Sequence, residues 1–513
     1  MQATNRIVFN TVVLYAKIAI SMVISLYTVP LVLHALGESD YGLFNLISGL
    51  IAMLAFMNGA MTLSTQRYLS VTIGELNTDK LLQVYNLSLL LHFVLGFVVV
   101  IAMELLAPYL LEHVLNILPG QKDVAYLLFH CMAASMFFTI VSVPFDAIIN
   151  AYENMLFFSI VGILEAVLRL ALALSLACLT SQRLAVYGLC LACISLFILI
   201  VKYIYCHRKY HHLYLSTRYW KNHRLMSEMF IYAGWNTLSA LAVVGRVQGL
   251  AIILNHFFST ILNAAYGIAN QVNGVLSYFS ATIQKSINPQ LMENEGRHNA
   301  DRQTTLAYAL TKYSLLVLGF LALPLAIELP YIYKIWLGSV PANSIAFTRA
   351  IITLSLISQT SAGLMSAIQS SGHIKWYTIS ICATLLSTLP IAYIFLNQGL
   401  TPVWALWLAC LTEVGAVVIR LIFANRLKSI HIGDYLLKAV LPNLLLIIFV
   451  GAVLYMLTQI IPTSMARLII VIFTDALLFL VLAYHIILTP SERIYIRSLI
   501  YKIRRRHEKM AKE

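Results

Sequence analysis

The sequence predicts an all-α integral membrane protein of about fourteen transmembrane helices, built as two six-helix lobes in a parallel pseudo-two-fold repeat plus two extra C-terminal helices. Three observations carry this expectation. The 513 residues are 60% hydrophobic and only 11% charged, with a mean hydropathy of +0.83; a soluble chain of this length needs far more charge to cover its surface. Apolar runs of roughly 20 residues or more, each long enough to cross a bilayer core, recur from end to end. Polar landmarks of the first half return in the same order in the second.

The expected spans are 9–36, 41–63, 81–107, 125–149, 156–179, 184–206, 230–255, 263–288, 305–327, 344–371, 376–396, 402–425, 439–461 and 466–488. The first is too long for a signal-peptide core and no small-residue cleavage site follows it, so it is expected to stay as a helix. Spans 1–6 and a linker form the first lobe (1–222), and spans 7–12 the second (223–425). The last two spans and a basic tail make up 426–513.

Net charge is +13, and its distribution argues against nucleic acid. Most of the 34 Lys and Arg fall in one alternate set of loops and tails. The richest are "HRKYHHLYLSTRYWKNHR" (207–224) and "RIYIRSLIYKIRRRHEKMAKE" (493–513). The positive-inside rule places these segments and both termini in the cytoplasm. The tail then reads as a juxtamembrane anchor on anionic lipids.

All seven cysteines (131, 178, 190, 193, 206, 382 and 410) lie in or at the end of expected spans, and no pair faces the oxidising side, so no structural disulfide is expected. Cys190-x-x-Cys193 has a metal-like spacing, but in an apolar helix it reads as a pair of small packing residues. His207, His211, His212 and His223 read as part of a solvated basic linker. No metal site and no cofactor is expected.

The repeat rests on four echoes. "FNT" (9–11) returns as "WNT" (235–237), and Tyr41-Gly42-x-x-Asn45-x-x-x-Gly49 returns from Tyr266 to Gly274. Gln66-Arg67 returns as Gln284-Lys285, and "GELNTDK" (74–80) as "GRHNADR" (296–302). Two of these matches are in polar loops, where shared apolar composition cannot explain them. Six spans, an even number, separate the copies, so both halves enter the membrane from the same side. Between two such lobes a central cavity is expected.

Within the motif, Asn45 and Gly49 share a helix face, as do Asn270 and Gly274. Two readings stand. The glycines let helices approach closely and the asparagines glue span 2 to span 1 and span 8 to span 7. Alternatively, the amides line a cavity, a reading favoured for the second copy by its extra Gln271 and Asn273.

"LGESDYGLFNLISG" after span 1, "AAYGIANQV" in span 8 and "IWLG" (335–338) after span 9 resemble polysaccharide transporters of the MOP exporter superfamily. These are the O-antigen and capsule oligosaccharide flippases, relatives of lipid II flippases and of the MATE antiporters. The resemblance runs over nearly the whole chain, including the span count. It implies two six-helix lobes alternating between inward- and outward-facing states in a bacterial inner membrane. It also implies an undecaprenyl-diphosphate-linked oligosaccharide as cargo, and polysaccharide polymerase and assembly machinery as partners.

An ionisable side chain deep in a span costs roughly 2.5–3.5 kcal/mol on insertion scales, so each one needs a reason. Lys17 and Arg246 sit on the first helix of each lobe without a partner at helical spacing. They are expected to face each other across the cavity as anion-binding groups, the alternative being pairing across helices. Arg67 and Lys285, at matching helix ends, are expected to attract the anion first. Glu165 and Arg169 are four apart: either a self-neutralising pair, or a site where Glu165 exchanges a proton or sodium. Lys202, Arg349 and Arg420 are nearer span ends and are expected to snorkel. Asp146, Glu413 and Asp475 are further candidates for ion coupling or structural pairing.

Three functions compete. A flippase for lipid-linked oligosaccharides matches the unpartnered cations. A multidrug exporter on the same scaffold would want carboxylates in its cavity. A membrane glycosyltransferase or ligase would need acidic catalytic residues in a sizeable outward loop, and the sequence has no D-x-D, Walker A or H-E-x-x-H motif. The chain is therefore expected to be a transporter and not an enzyme.

Overall fold

The computed structural model describes residues 3–52, 55–114, 121–176, 182–258, 260–337, 340–428, 430–490 and 492–494. Among them the chain is helical throughout, with no strand. The basic tail beyond 494 lies outside the described residues, as does Cys178.

The first half runs through α1 (Ala3–Ala52), α2 (Ala55–Gly74), α3 (Thr78–Tyr109), α4 (Lys122–Ala151), α5 (Met155–Leu176) and α6 (Arg183–Lys209). The second begins with α7 (His223–Phe257), α8 (Thr260–Gly296) and α9 (Ala300–Leu337). Then α10 (Ser344–Gln359) and α11 (Ala362–Ser371) meet at a bend of 47°. They are followed by α12 (Lys375–Leu386), α13 (Thr388–Asn397) and α14 (Val403–Lys428). A short α15 (Ile432–Tyr435) leads to α16 (Leu441–Ile460) and α17 (Met465–Leu482).

Eleven helices among the described residues are long and apolar enough to cross a membrane, and twelve if the bent pair counts as one span. The two expected spans outside that set are 41–63 and 263–288, which carry the two copies of the Tyr-Gly-x-x-Asn motif. The first straddles α1 and α2. Its upstream boundary is Gly37, whose φ of 81° and ψ of 166° break α1 into two arms at a conformation glycine adopts without strain. The second lies within α8, 37 residues long and dense in amides and hydroxyls. Polar content, not length, keeps it out of the set.

The chain folds into two compact units that do not follow chain order. Unit 1 comprises 1–245, 285–303 and 366–382; unit 2 comprises 246–284, 304–365 and 383–513. In unit 1, α4 packs against α2, α3 and α6, and α1 lies along α5. Leu43, Ile47 and Ile51 of α1 are buried with Leu128, Phe129 and Ile140 of α4. In unit 2, α14 packs on α10 and α13, and α16 on α17. There Tyr266 and Ala269 are buried with Phe347 and Ala350 of α10.

Echoed sequence becomes echoed geometry in unit 1. After α2, Leu76 takes a φ of 56° and Asn77 accepts the Lys80 N–H at 3.0 Å. After α8, His298 takes a φ of 54° and Asn299 accepts the Arg302 N–H at 3.0 Å. Each asparagine thus caps the next helix, satisfying a donor its first turn leaves open. The glycines that open these turns meet: a Cβ at Gly74 would overlap the Glu293 carbonyl, and a Cβ at Gly296 would overlap that of Val71. Each helix end lies against the backbone of the other, and only glycine fits at the crossing.

Candidate functional site

The site begins with Lys17 on α1. Its side chain passes over Gly162 of α5, where a Cβ would overlap it, and its Nζ sits 4.6 Å from the centre of the Phe158 ring. The Nζ of Lys285, from α8, lies 3.2 Å from the centre of the same ring. No salt bridge joins either lysine to a carboxylate among the described residues. An aromatic face attracts a desolvated cation, but it does not neutralise the charge.

Beside these lysines a cavity of about 260 Å³ is lined by Lys17, Ser142, Asp146, Phe158, Glu165 and Lys202. Both of its acids are engaged. Asp146 takes the Lys202 ammonium at 2.8 Å, and Glu165 takes Arg169 at 2.8 Å. The first pair crosses from α4 to α6 and is largely enclosed; in the second, Arg169 and Glu165 are 48% and 38% exposed. The Glu165–Arg169 pair expected from spacing is therefore formed. Lys202 was expected to snorkel and does not: a carboxylate at its own depth holds it. Positive charge is left in surplus around Phe158.

Arg246 has a different environment from the one expected. Its Nη1 donates to Glu413 Oε2 at 2.9 Å, and Arg420 Nη1 donates to Glu413 Oε1 at 3.0 Å and to the Ser361 hydroxyl at 3.0 Å. The three side chains are 9%, 2% and 7% exposed for Arg246, Glu413 and Arg420. One carboxylate thus serves two guanidiniums within unit 2, and Arg246 is not an unpartnered cation. Arg420, also expected to snorkel, is the third member of this triad. Arg349 is exposed and donates to the Ala326 carbonyl at 3.0 Å.

Arg67 is also engaged. Its Nε donates to the Ser370 carbonyl at 2.9 Å, and its guanidinium stands 4.9 Å from the ring centres of both Tyr68 and Tyr232. Gly372, at a φ of 80°, leaves the room the guanidinium occupies. It is a buried tertiary contact, not an exposed collector of anions.

The motif's side chains divide the work differently from either expectation. A Cβ at Gly42, Gly267 or Gly274 would meet no described atom within 4 Å, so these glycines do not permit a close approach. Tyr266 provides the glue instead, donating to the Val247 carbonyl at 3.2 Å. Asn270 donates to the Tyr266 carbonyl of its own helix at 3.1 Å. Asn273 accepts the Ser355 hydroxyl at 2.5 Å, joining α8 to α10, while Gln271 is exposed. The side chain of Asn45 lies outside the described residues.

Lys17, Asp146, Glu165 and Lys285 are therefore brought together, with Arg169 attached through Glu165. Lys202 and Phe158 belong to the same cluster and were missed as functional residues. Lys202 lies 56 residues from Asp146, so no local spacing betrays the pair. Among the described residues no group of three His, Cys, Asp or Glu gathers that could hold a metal ion.

No protein-family model and no curated protein matches the chain. Solved structures do. A point mutant of a MATE protein superposes with a TM-score of 0.71 at 12% identity, over 84% of this chain and 97% of that one. The fold is that of MATE transporters. An outward-facing multidrug resistance MATE transporter of the MOP superfamily gives a TM-score of 0.71 at 14% identity, over 84% of this chain and 96% of that one. A MOP superfamily transporter from Pyrococcus furiosus, for which a binding pocket of reverse polarity suggests a different function, gives 0.68 at 15% identity, over 85% and 97%. Roughly a sixth of this chain has no counterpart in these MATE-fold proteins.

Proposed function

We propose that this chain is a secondary transporter that flips an undecaprenyl-diphosphate-linked oligosaccharide across the bacterial inner membrane by alternating access. The supporting observation is the charge surplus in unit 1. Among the described residues, Lys17 and Lys285 meet an aromatic ring and form no salt bridge, whereas Asp146 and Glu165 are each matched to another cation. A diphosphate carries compact negative charge, and two lysines on one ring are suited to receive it. Gln271 and Asn273, with Asn45 as the echo in the first half, are assigned to the glycan. Glu165 is assigned to ion exchange, because its partner Arg169 is exposed and separable.

Export of small cations is the rival reading. It is supported by the fold shared with a multidrug resistance transporter. The same fold also carries a pocket of reverse polarity in the Pyrococcus furiosus protein, so the fold leaves the cargo's charge open. The 426–513 segment, outside the duplication, is close in length to the part of the chain without a counterpart, and we assign it to handling the lipid tail.

The test is transport in proteoliposomes containing the full chain. A fluorescent isoprenoid-diphosphate glycan should cross, and its rate should fall at least tenfold in Lys17→Ala and Lys285→Ala. Uptake of ethidium with no glycan flipping would reject the flippase and favour the drug exporter.

A further inference from the structure

Asp475 lies in the middle of α17 at 1% exposure, and neither of its carboxylate oxygens has a hydrogen-bond partner among the described residues. Other buried or half-buried acids of unit 2 are matched. Glu413 holds two arginines, Glu328 accepts from Arg467 at 2.9 Å, and Glu492 accepts from Lys312 at 2.8 Å. Asp475 alone of these four stands on an apolar face. Val471 and Phe479, one turn to either side, are buried in a cluster with Val450 and Leu454 of α16 and with Phe320 and Leu323 of α9. The Phe320 and Phe479 ring centres are 5.8 Å apart.

The ionisable groups on the elements packed there offer no partner. On α9, Lys312 and Glu328 are held in the pairs just named, as is Arg467 on α17 itself. Tyr455 of α16 is 61% exposed, and Arg349 of α10 donates to a backbone carbonyl. Tyr484 and His485, in the π-helical segment after α17, meet edge-on with ring centres 5.2 Å apart. A carboxylate in this setting would be a buried charge with neither counter-ion nor donor, and such groups neutralise instead. A metal ion would need several oxygens converging at once, and among the described residues no group of three acidic, His or Cys side chains gathers.

We propose that Asp475 is a proton-binding site: it carries a proton while α17 lies against α9 and α16, and releases it when that face opens to water. Nothing in this depends on the identity of the cargo. The clamps Arg467–Glu328 and Lys312–Glu492 join α17 and the segment after it to α9, so the proton sits between two fixed points. Ionising Asp475 would work against that docking from the middle.

Infrared difference spectroscopy of the full chain in lipid bilayers tests this directly. At pH 7 the wild type should show a protonated-carboxyl carbonyl band that shifts in heavy water and is missing from Asp475→Asn. Wild-type and Asp475→Asn spectra that match each other in that region at both pH 5 and pH 7 would overturn the proposal. Thermal unfolding supplies the second arm. Asp475→Asn and Asp475→Leu should melt at or above the wild-type temperature, because neither removes a partner. A lower melting temperature in both variants would show an ionised Asp475 with a structural counter-ion, and would also overturn it.

Discussion

Lys17 and Arg246 stand on the first helix of each repeat, but they have opposite surroundings. Around Lys17, unit 1 keeps a cavity, an aromatic ring and a second lysine, and matches its acids to other cations. Around Arg246, unit 2 has no such slack: Glu413 bridges two arginines and all three are buried. Both helices carry a cation; the neighbours around each one decide whether its charge stays available. A deep charge in a span is thus not a function by itself. Its counter-charges determine whether it binds cargo or holds helices together.

That contrast can be broken by removing one member from each cluster. Lys17→Ala or Lys285→Ala should reduce glycan flipping at least tenfold while thermal stability in detergent holds or rises, since like charges are separated. Glu413→Gln should do the reverse. Two guanidiniums lose their shared carboxylate, and breaking a buried pair costs about 3–5 kcal/mol, read as a large drop in melting temperature. If Glu413→Gln folds normally but stops transport, the two clusters are not the separate kinds described above.

Smaller effects sharpen the picture. Gly74→Ala and Gly296→Ala each force a Cβ onto a carbonyl. Each should cost about 1–3 kcal/mol by overpacking, and chemical unfolding should show similar losses for the two. Glu165→Gln breaks a pair whose members are over a third exposed, so stability should change by no more than about 1 kcal/mol. Transport in that variant should lose its response to an imposed pH gradient.

The smallest effect concerns Glu153, in the turn between α4 and α5. Burial pushes its carboxyl above the usual range, and the hydrogen bond from Gln290 at 3.0 Å only partly opposes this. An acid whose proton is held more tightly in the folded state loses stability as pH rises. Wild type should therefore soften slightly from about pH 5 upward, and Glu153→Gln should flatten that slope.

Local pattern revealed what depends on neighbours in sequence. The i,i+4 pair Glu165–Arg169 was legible, as were the echoed turns, because an asparagine cap and its glycine lie within four residues of each other. Most spans were legible from apolar length alone. Arg246–Glu413 was not, because its partners are 167 residues apart and only the tertiary fold brings them together. The role of Gly274 was misread for a related reason. Whether a glycine faces another helix or open space depends on how its helix is rotated, which a single spacing does not report.

The crossing of Gly74 and Gly296 carries a consequence for how the two echoed turns respond to change. Each glycine touches the backbone beside the other, so the contact is the same from both sides. It is isologous in form, though made within one chain. A methyl group added on either side parts the same two helix ends, so the double variant should lose less than the sum of the two single losses.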